Sequence, residues 1–391
     1  MTLACPVCGS GATREFLRRE RVPVHQNLLC ATRAEATGTA RATLAMQVCT
    51  ACGFVFNGEF DAGKLVYGPD YDNTQDCSPV FARHLDDLVR YLVEDRGIRG
   101  QRVVEVGCGK GAFLRRLVSH PGANITGVGF DPSYVGPDSD LDGKLVFQRR
   151  FFGAEVADVK ADAVVCRHVI EHVPDPVTLL KGVREALAGS DTARVFFETP
   201  CVSWILRNDV IWDFFYEHCS LFTADSLSTA FEAAGFRVDA VRHLFGGQYL
   251  WLEAVPAPAG QQARRVPGDV PAQAVRYGTT EQRVTRAWDE QIRQLAARGP
   301  VAIWGAGAKG STFANLVDAE CRLIDSVVDL NPNKQGRYIP GTGHPIVDYH
   351  ALSPRGVREI ILMNPNYRDE NRALLKAAGI AANFVEWNQG P

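Results

Sequence analysis

The sequence predicts an α/β protein in three parts: a small four-cysteine lobe, a doubly wound Rossmann-like domain, and a smaller Rossmann-like domain at the C-terminus. Three observations carry this. VVEVGCGKG at 103–111 is an apolar run broken at Gly107, Gly109 and Gly111, and the helix-like AFLRRLVSH follows it. Strand, glycine turn and helix is how an α/β protein presents backbone to a nucleotide-like ligand at a strand's carboxyl end. Two C-x-x-C-G knuckles, Cys5/Cys8 and Cys49/Cys52, lie near the N-terminus. A second strand–glycine–helix unit, VAIWGAGAKGSTFANL, begins at Val301. The expected boundaries are a zinc-binding lobe at 1–68, the main domain at 69–254, a linker at 255–280 and the last domain at 281–391.

A chain of 391 residues has room for two or three domains. Its net charge of −3 argues against nucleic acid or an anionic membrane as the main partner, and no apolar run approaches a membrane span. MTLACPVCGS has no signal-peptide pattern, so a cytoplasmic location is expected. Eleven cysteines raise the question of disulfides, but the first ones are spaced as metal ligands.

In chain order, the two knuckles supply four thiolates, which suits a closed, tetrahedral, structural Zn²⁺ site. Redox pairs are the alternative, and Cys30 and His25 are spare ligand candidates. FVFNGEF reads as a strand. LVYGPDYDNTQDCSPV is a polar-aromatic loop placed to fold over a cofactor, with Tyr67, Tyr71 and Asn73 as contacts, or else a surface linker. FARHLDDLVRYLVEDRG has helical spacing and a closing glycine.

In the main domain, TGVGFDPS puts Asp131 at the end of a second strand, where it can accept hydrogen bonds from ribose hydroxyls. DAVVCRHVIEHVPDP is a buried strand ending in a loop that opens a helix. His168 falls in that loop, and His172 falls in the helix as a packing or capping residue. ARVFFETP is another strand, with Glu198, Thr199 and Pro200 at a carboxyl end expected to face the substrate side of the cleft. DSLSTAFEAAGFRVDAVRHLF reads as a helix with a serine-rich start and a glycine end, and FGGQYLWLEAV as the last strand. WDFFYEHCSLFT carries Tyr216, Glu217 and His218 together. Histidine is suited to move a proton near neutral pH, and a neighbouring Glu can orient it.

Residues 255–278 are rich in Pro, Ala and Gly and read as a linker, followed by an amphipathic helix in TEQRVTRAWDEQIRQLAARG. Gly305, Gly307 and Gly310 form G-x-G-x-x-G, with strands ending at Asp329 and in IILMNPNY. This unit invites NAD, or shapes a substrate cleft in which Lys309, Lys334 and Arg337 suit a phosphate.

E-x-G-x-G-x-G, the downstream Asp131 and HVIEHVPDP together resemble class I S-adenosylmethionine (SAM)-dependent methyltransferases. With the four-cysteine lobe and the C-terminal GAGAKG and DLNPNKQGRYIPGT, nearly the whole chain resembles the three-domain C-methyltransferase family, best known for methylating nucleotide-linked 3-keto-deoxysugars in natural-product biosynthesis. The resemblance implies that Gly107, Gly109 and Gly111 admit the methionine end of SAM, that Glu105 lies near its ammonium, that Asp131 holds its ribose and that His168 sits close by. Tyr71 and Asn73 would cover it. It also implies a base in the Glu217–His218 pair. The family's Tyr-His-Glu-His-like run falls here on Phe215, Tyr216, Glu217 and His218, and its HGG-type loop on Phe245, Gly246 and Gly247.

The expected chemistry is SAM-dependent C-methylation of an enolisable carbon acid, such as a nucleotide-linked keto-deoxysugar in natural-product or glycan biosynthesis. His218 is the base, Glu217 its orienting partner and Tyr216 a donor to the enolate oxygen. The alternatives are O- or N-methylation of a non-sugar secondary metabolite, a non-catalytic zinc-ribbon interaction protein, and a dehydrogenase using the C-terminal glycines. The expected partner is a small molecule.

Overall fold

A computed structural model describes residues 3–68, 70–153, 159–190, 192–258 and 262–386. In the N-terminal lobe, β1 (Thr13–Pro23) pairs antiparallel with β2 (Arg41–Cys49), with Thr13 opposite Cys49. The long insertion between the knuckles is therefore a hairpin, which returns the chain so that the second knuckle lands beside the first. Its tip carries α1 (Arg33–Thr37), capped by Thr32 and Glu35 in a reciprocal capping box, and β3 (Val55–Asn57) follows β2.

The main domain opens with α2 (Pro79–Arg90). Ser78 caps it, and it buries Phe81, Leu85, Leu88 and Val89. Then come β4 (Arg102–Val106), α3 (Ala112–Ser119), β5 (Thr126–Phe130), β6 (Ser139–Asp140), β7 (Leu145–Gln148), β8 (Ala163–Arg167), α4 (Pro176–Ala186) and β9 (Arg194–Pro200). After them lie α5 (Val202–Arg207), β10 (Ser220–Leu221), α6 (Ala224–Ala233), β11 (Phe236–Leu244) and β12 (Tyr249–Pro256). The sheet runs β11-β12-β9-β8-β4-β5-β7-β6. Strand order reverses at β4, between β5 and β8, so the crevice at those carboxyl ends is where an open α/β sheet binds its ligand. β10 leaves this sheet and pairs with β3, with Ser220 opposite Phe56.

The C-terminal domain comprises α7 (Val270–Ala296), β13 (Val301–Trp304), α8 (Ala308–Val317), β14 (Ile324–Val328), β15 (Ile346–Val347), β16 (Glu359–Leu362), α9 (Arg368–Ala377) and β17 (Asn383–Glu386). Its five strands are all parallel, in the order β15-β14-β13-β16-β17. Among the described residues, no helix is long and apolar enough to cross a membrane.

Two element expectations need correction. The helix expected from residue 280 starts ten residues earlier, inside the 255–280 stretch read as linker; residues 259–261 of that stretch lie outside the described residues. Pro271 fits the first turn of α7, where its missing N–H costs nothing. Gly278 sits inside the helix because β1 passes so close that a Cβ there would stand 2.1 Å from the Phe16 carbonyl oxygen. In the 225–245 stretch the helix stops at Gly235, whose φ is +85°, and the remainder is β11.

Candidate active site and zinc lobe

The sulfurs of Cys5, Cys8, Cys49 and Cys52 lie within 4.8 Å of one another, with Cys5–Cys52 at 3.7 Å and Cys8–Cys49 at 3.6 Å. A tetrahedral zinc with bonds of about 2.3 Å places its sulfurs roughly 3.8 Å apart, so the four thiols already stand at ligand spacing. Backbone amides of Val7 and Cys8 face Cys5, and those of Ala51 and Cys52 face Cys49, as thiolates require. The spare candidates are elsewhere: His25 accepts from the Val66 amide, and Cys30 bridges to Tyr338.

Glu105, near the end of β4, is buried, and its Oε2 has no hydrogen-bond partner. Burial pushes its pKa up to about 8 against the opposing charge of Arg167, with Asp131 adding to the rise. Gly107 has φ +71°, and a Cβ there would overlap Val169 at 2.0 Å; a Cβ at Gly109 would point into open space. Asp131, just past β5, accepts from the Gly109 amide at 2.8 Å and from the amide and hydroxyl of Ser133 at 2.7 Å each. These groups and Lys110 rim a cavity of about 290 Å³ at the switch point. An orphaned buried carboxylate oxygen, a glycine loop with open space before it and an acid at the next strand end fit the ammonium, carboxylate and ribose of SAM.

A second cavity of about 250 Å³ lies between this domain and the C-terminal one. Tyr71, Asn73, Thr74, Gln75, His168 and His172 line both cavities and form their common wall. Tyr71 and Asn73 border both cavities, and Tyr71 and Asp72 are buried. His168 adopts φ +54°, a costly backbone for a non-glycine residue that clusters at functional sites. Its Nδ1 is 3.4 Å from Glu171 Oε1 and its Nε2 is 3.6 Å from Glu198 Oε2. His172 is not in a long helix but in a single 3-10 turn, with its Nδ1 3.1 Å from the Tyr67 hydroxyl. It is a wall residue and not merely packing.

His218 lines the second cavity. Its ring lies against Phe215 at 4.0 Å and stands perpendicular to His172 at 4.8 Å. Burial holds its pKa well below the usual imidazole value, with His172, His168 and Lys309 adding to the effect.

The neighbours expected to assist His218 face elsewhere. Tyr216 is fully buried in the N-terminal lobe, where its hydroxyl accepts from the Asp61 amide at 2.8 Å and packs on Phe60. It cannot reach an enolate. Glu217 accepts from the Gln26 amide at 2.8 Å and from the Tyr71 hydroxyl, so it does not orient His218. Burial raises its pKa to about 7, against those hydrogen bonds and Lys334. The reason is local: this segment runs out to join β3 as β10, so consecutive side chains are dealt to different lobes. The carboxylate that does stand near His218 is Glu171. It is fully buried, and its Oε2 takes the Thr199 hydroxyl at 3.0 Å.

Sequence reasoning placed Glu198 at a strand end facing the cleft but gave it no role, and it passed over Gln248 and Asn364. Glu198 is fully buried and binds His84 at 2.6 Å and Arg167 at 2.7 Å. Burial acts to raise its pKa, but Arg167, the His84 bond and His168 outweigh that and hold it well below the carboxylate range. Gln248 and Asn364 exchange amide hydrogen bonds at 3.0 and 3.3 Å across the domain boundary. ETP at a strand end was the signal for the first; nothing in the sequence pointed to the amide pair.

In the C-terminal unit, a Cβ on Gly310 would stand 1.9 Å from the Gly305 carbonyl oxygen, so this glycine serves close helix–strand packing. Asp329 accepts from the amides of Ala306 and Asn331, each at 2.8 Å, repeating the arrangement at Asp131. Of the cations read as phosphate ligands, Lys309 is paired with Asp213, and Lys334 donates to Asn27 at 3.2 Å and to the Ala306 carbonyl at 3.1 Å. Arg337 is not among the residues lining the cavity.

A methyltransferase-domain family model matches residues 80–241, and a C-methyltransferase C-terminal domain model matches residues 272–385. C-methyltransferase NovU of Streptomyces niveus is 29% identical over 387 residues, covering 94% of this chain and 90% of NovU. Along nearly its whole length the chain is similar to C-methyltransferases. The ubiquinone biosynthesis O-methyltransferase of Pseudomonas aeruginosa (strain UCBPP-PA14) is 32% identical over 99 residues, 24% of this chain and 42% of that relative. The SAH-bound crystal structure of CalO1, a methyltransferase in calicheamicin biosynthesis, aligns at 22% identity over 45% of this chain and 54% of CalO1, with a TM-score of 0.36, too low to bear on the fold. The domain carrying the glycine loop and the domain carrying GAGAKG are matched by separate models, and the second cavity lies between them.

Proposed function

We propose that this chain transfers the methyl group of SAM to a carbon atom of an enolisable carbon acid, with His218 as the base. The observation that carries this is the common wall: the imidazole of His218 borders the acceptor cavity, and His172, against which it stands, borders both cavities. When bound, SAM supplies an electrophilic methyl on a sulfonium. Glu105 and Asp131 would hold its ammonium and ribose, and the glycine loop would face its methionine end. His218 takes the proton α to the acceptor's carbonyl, leaving the electron pair on carbon and oxygen of the enolate. His168, on the same wall, is the donor closest in role to the one first sought in Tyr216. Tyr67 and Tyr71 exclude water from above, and the Gln248–Asn364 pair fixes the two domains that grip the acceptor, so the chain contributes mainly position.

A nucleotide-linked keto-deoxysugar is the acceptor class we favour. The first turn of α8 borders the cavity beside the buried amine of Lys334, a favourable place for a phosphate. The test is incubation with methyl-labelled SAM and a panel of nucleotide-linked ketosugars and simple ketones, with NMR on the products. A new carbon–methyl bond that His218→Ala loses supports the reading. Transfer to oxygen or nitrogen alone, or undiminished transfer by His218→Ala, refutes it.

A further inference from the structure

The wall of the acceptor cavity carries a donor set of which the proposed methyl transfer uses only His218. Glu171, His172 and His218 each offer one ligand atom, and these atoms lie within 4.8 Å of one another. Glu171 is fully buried, and its Oε1 accepts no hydrogen bond, with His168 Nδ1 standing 3.4 Å away. A buried carboxylate oxygen without a hydrogen bond is costly, and a metal ion would satisfy it where the long contact to His168 does not. His172 has its Nδ1 beside the Tyr67 hydroxyl, an outer partner of the kind that fixes the tautomer of a metal-binding histidine. The side of the trio away from the protein opens on the cavity.

We propose that Glu171, His172 and His218 form a second metal site, separate from the four cysteines, that binds a divalent transition ion such as Zn²⁺, Fe²⁺ or Co²⁺ with open positions toward the acceptor. Two imidazoles and one carboxylate are the donor types such ions take in sites that keep room for a further ligand. One consequence rests on the assignment of His218 as base. An ion on its nitrogen and a proton from the acceptor compete for the same lone pair, so metal-loaded and base-ready forms exclude each other, and excess zinc inhibits methyl transfer.

The test titrates metal-depleted whole chain with Co²⁺ and reads the visible spectrum, with elemental analysis of bound metal alongside. Two ions per chain are expected. One gives thiolate charge-transfer bands, and the other adds d–d bands without further thiolate intensity. Glu171→Gln and His218→Asn, each checked for SAM binding as evidence of folding, should retain the thiolate-bound ion and lose the other. A wild-type stoichiometry of one, or a second ion that survives both substitutions, overturns the proposal. The wild-type spectrum decides even if a variant fails to fold. Because no turnover is read, a failed methyl-transfer assay and a missing second ion are separate results.

Discussion

On the reading that Glu105 meets the ammonium of SAM, its raised pKa makes SAM binding a proton-release reaction. Burial holds this carboxyl protonated up to about pH 8 in the free protein. At pH 7 it therefore carries about 0.9 of a proton. An ammonium brought against it selects the ionised form, so binding at pH 7 should release about 0.9 proton, falling to about 0.5 at pH 8. Affinity should then rise roughly 50-fold from pH 6 to pH 8 and level off above. The stability of the free chain moves the other way. The folded pKa lies above the ordinary value of 4.5, so this group's contribution is full below 4.5 and is lost as pH rises through about 8. Calorimetric titration with SAM in buffers of different ionisation enthalpy measures the release directly. Glu105→Gln should abolish it, flatten the pH dependence and weaken binding by about 1.5–3 kcal/mol, the worth of a charged hydrogen bond. Negligible release by the wild type at pH 7, or equal release by the variant, refutes the reasoning.

Tyr216→Phe removes a hydroxyl that binds only the backbone at Asp61. It should cost about 1 kcal/mol in urea unfolding and leave methyl transfer unchanged, whereas a catalytic hydroxyl would show in kcat. Glu198→Gln leaves Arg167 buried without its charge partner and should cost about 3–5 kcal/mol by the same unfolding measurement. Because the folded pKa of Glu198 is depressed, that difference is full above the ordinary carboxylate value and narrows only as pH falls toward the depressed one. Cys49→Ser should release the zinc and expose the lobe to limited proteolysis, since a small metal-stapled lobe folds on its ion; metal analysis and the cleavage pattern check this together.

Local chemistry was legible in the sequence. The knuckles, the glycine loop, Glu105 and Asp131 each declare themselves through spacing, because a strand end and the turn after it fix where their side chains go. The error over Tyr216 and Glu217 came from treating sequence neighbours as spatial neighbours. Tyr216, Glu217 and His218 are consecutive, yet their side chains meet Asp61, Gln26 and His172 in turn. That follows from the pairing of Ser220 with Phe56, a long-range contact without a local pattern. Glu171 and His172 were legible as residues but not in role, because the 3-10 turn that aims them at the cavities looks like the start of an ordinary helix.

The segment that roofs both cavities is pinned to every part of the molecule. Asp70 accepts from the Leu29 amide of the N-terminal lobe, Tyr67 meets His172 of the main domain, and Asp72 and Ser78 reach Asn333 and Glu370 of the C-terminal domain. Tyr71, Asn73, Thr74 and Gln75 cover both chambers at once. Because the same residues line both chambers, displacing this segment would open them together. If the two chambers hold cofactor and acceptor as proposed, the departure of two chemically unrelated molecules would depend on breaking one set of latches.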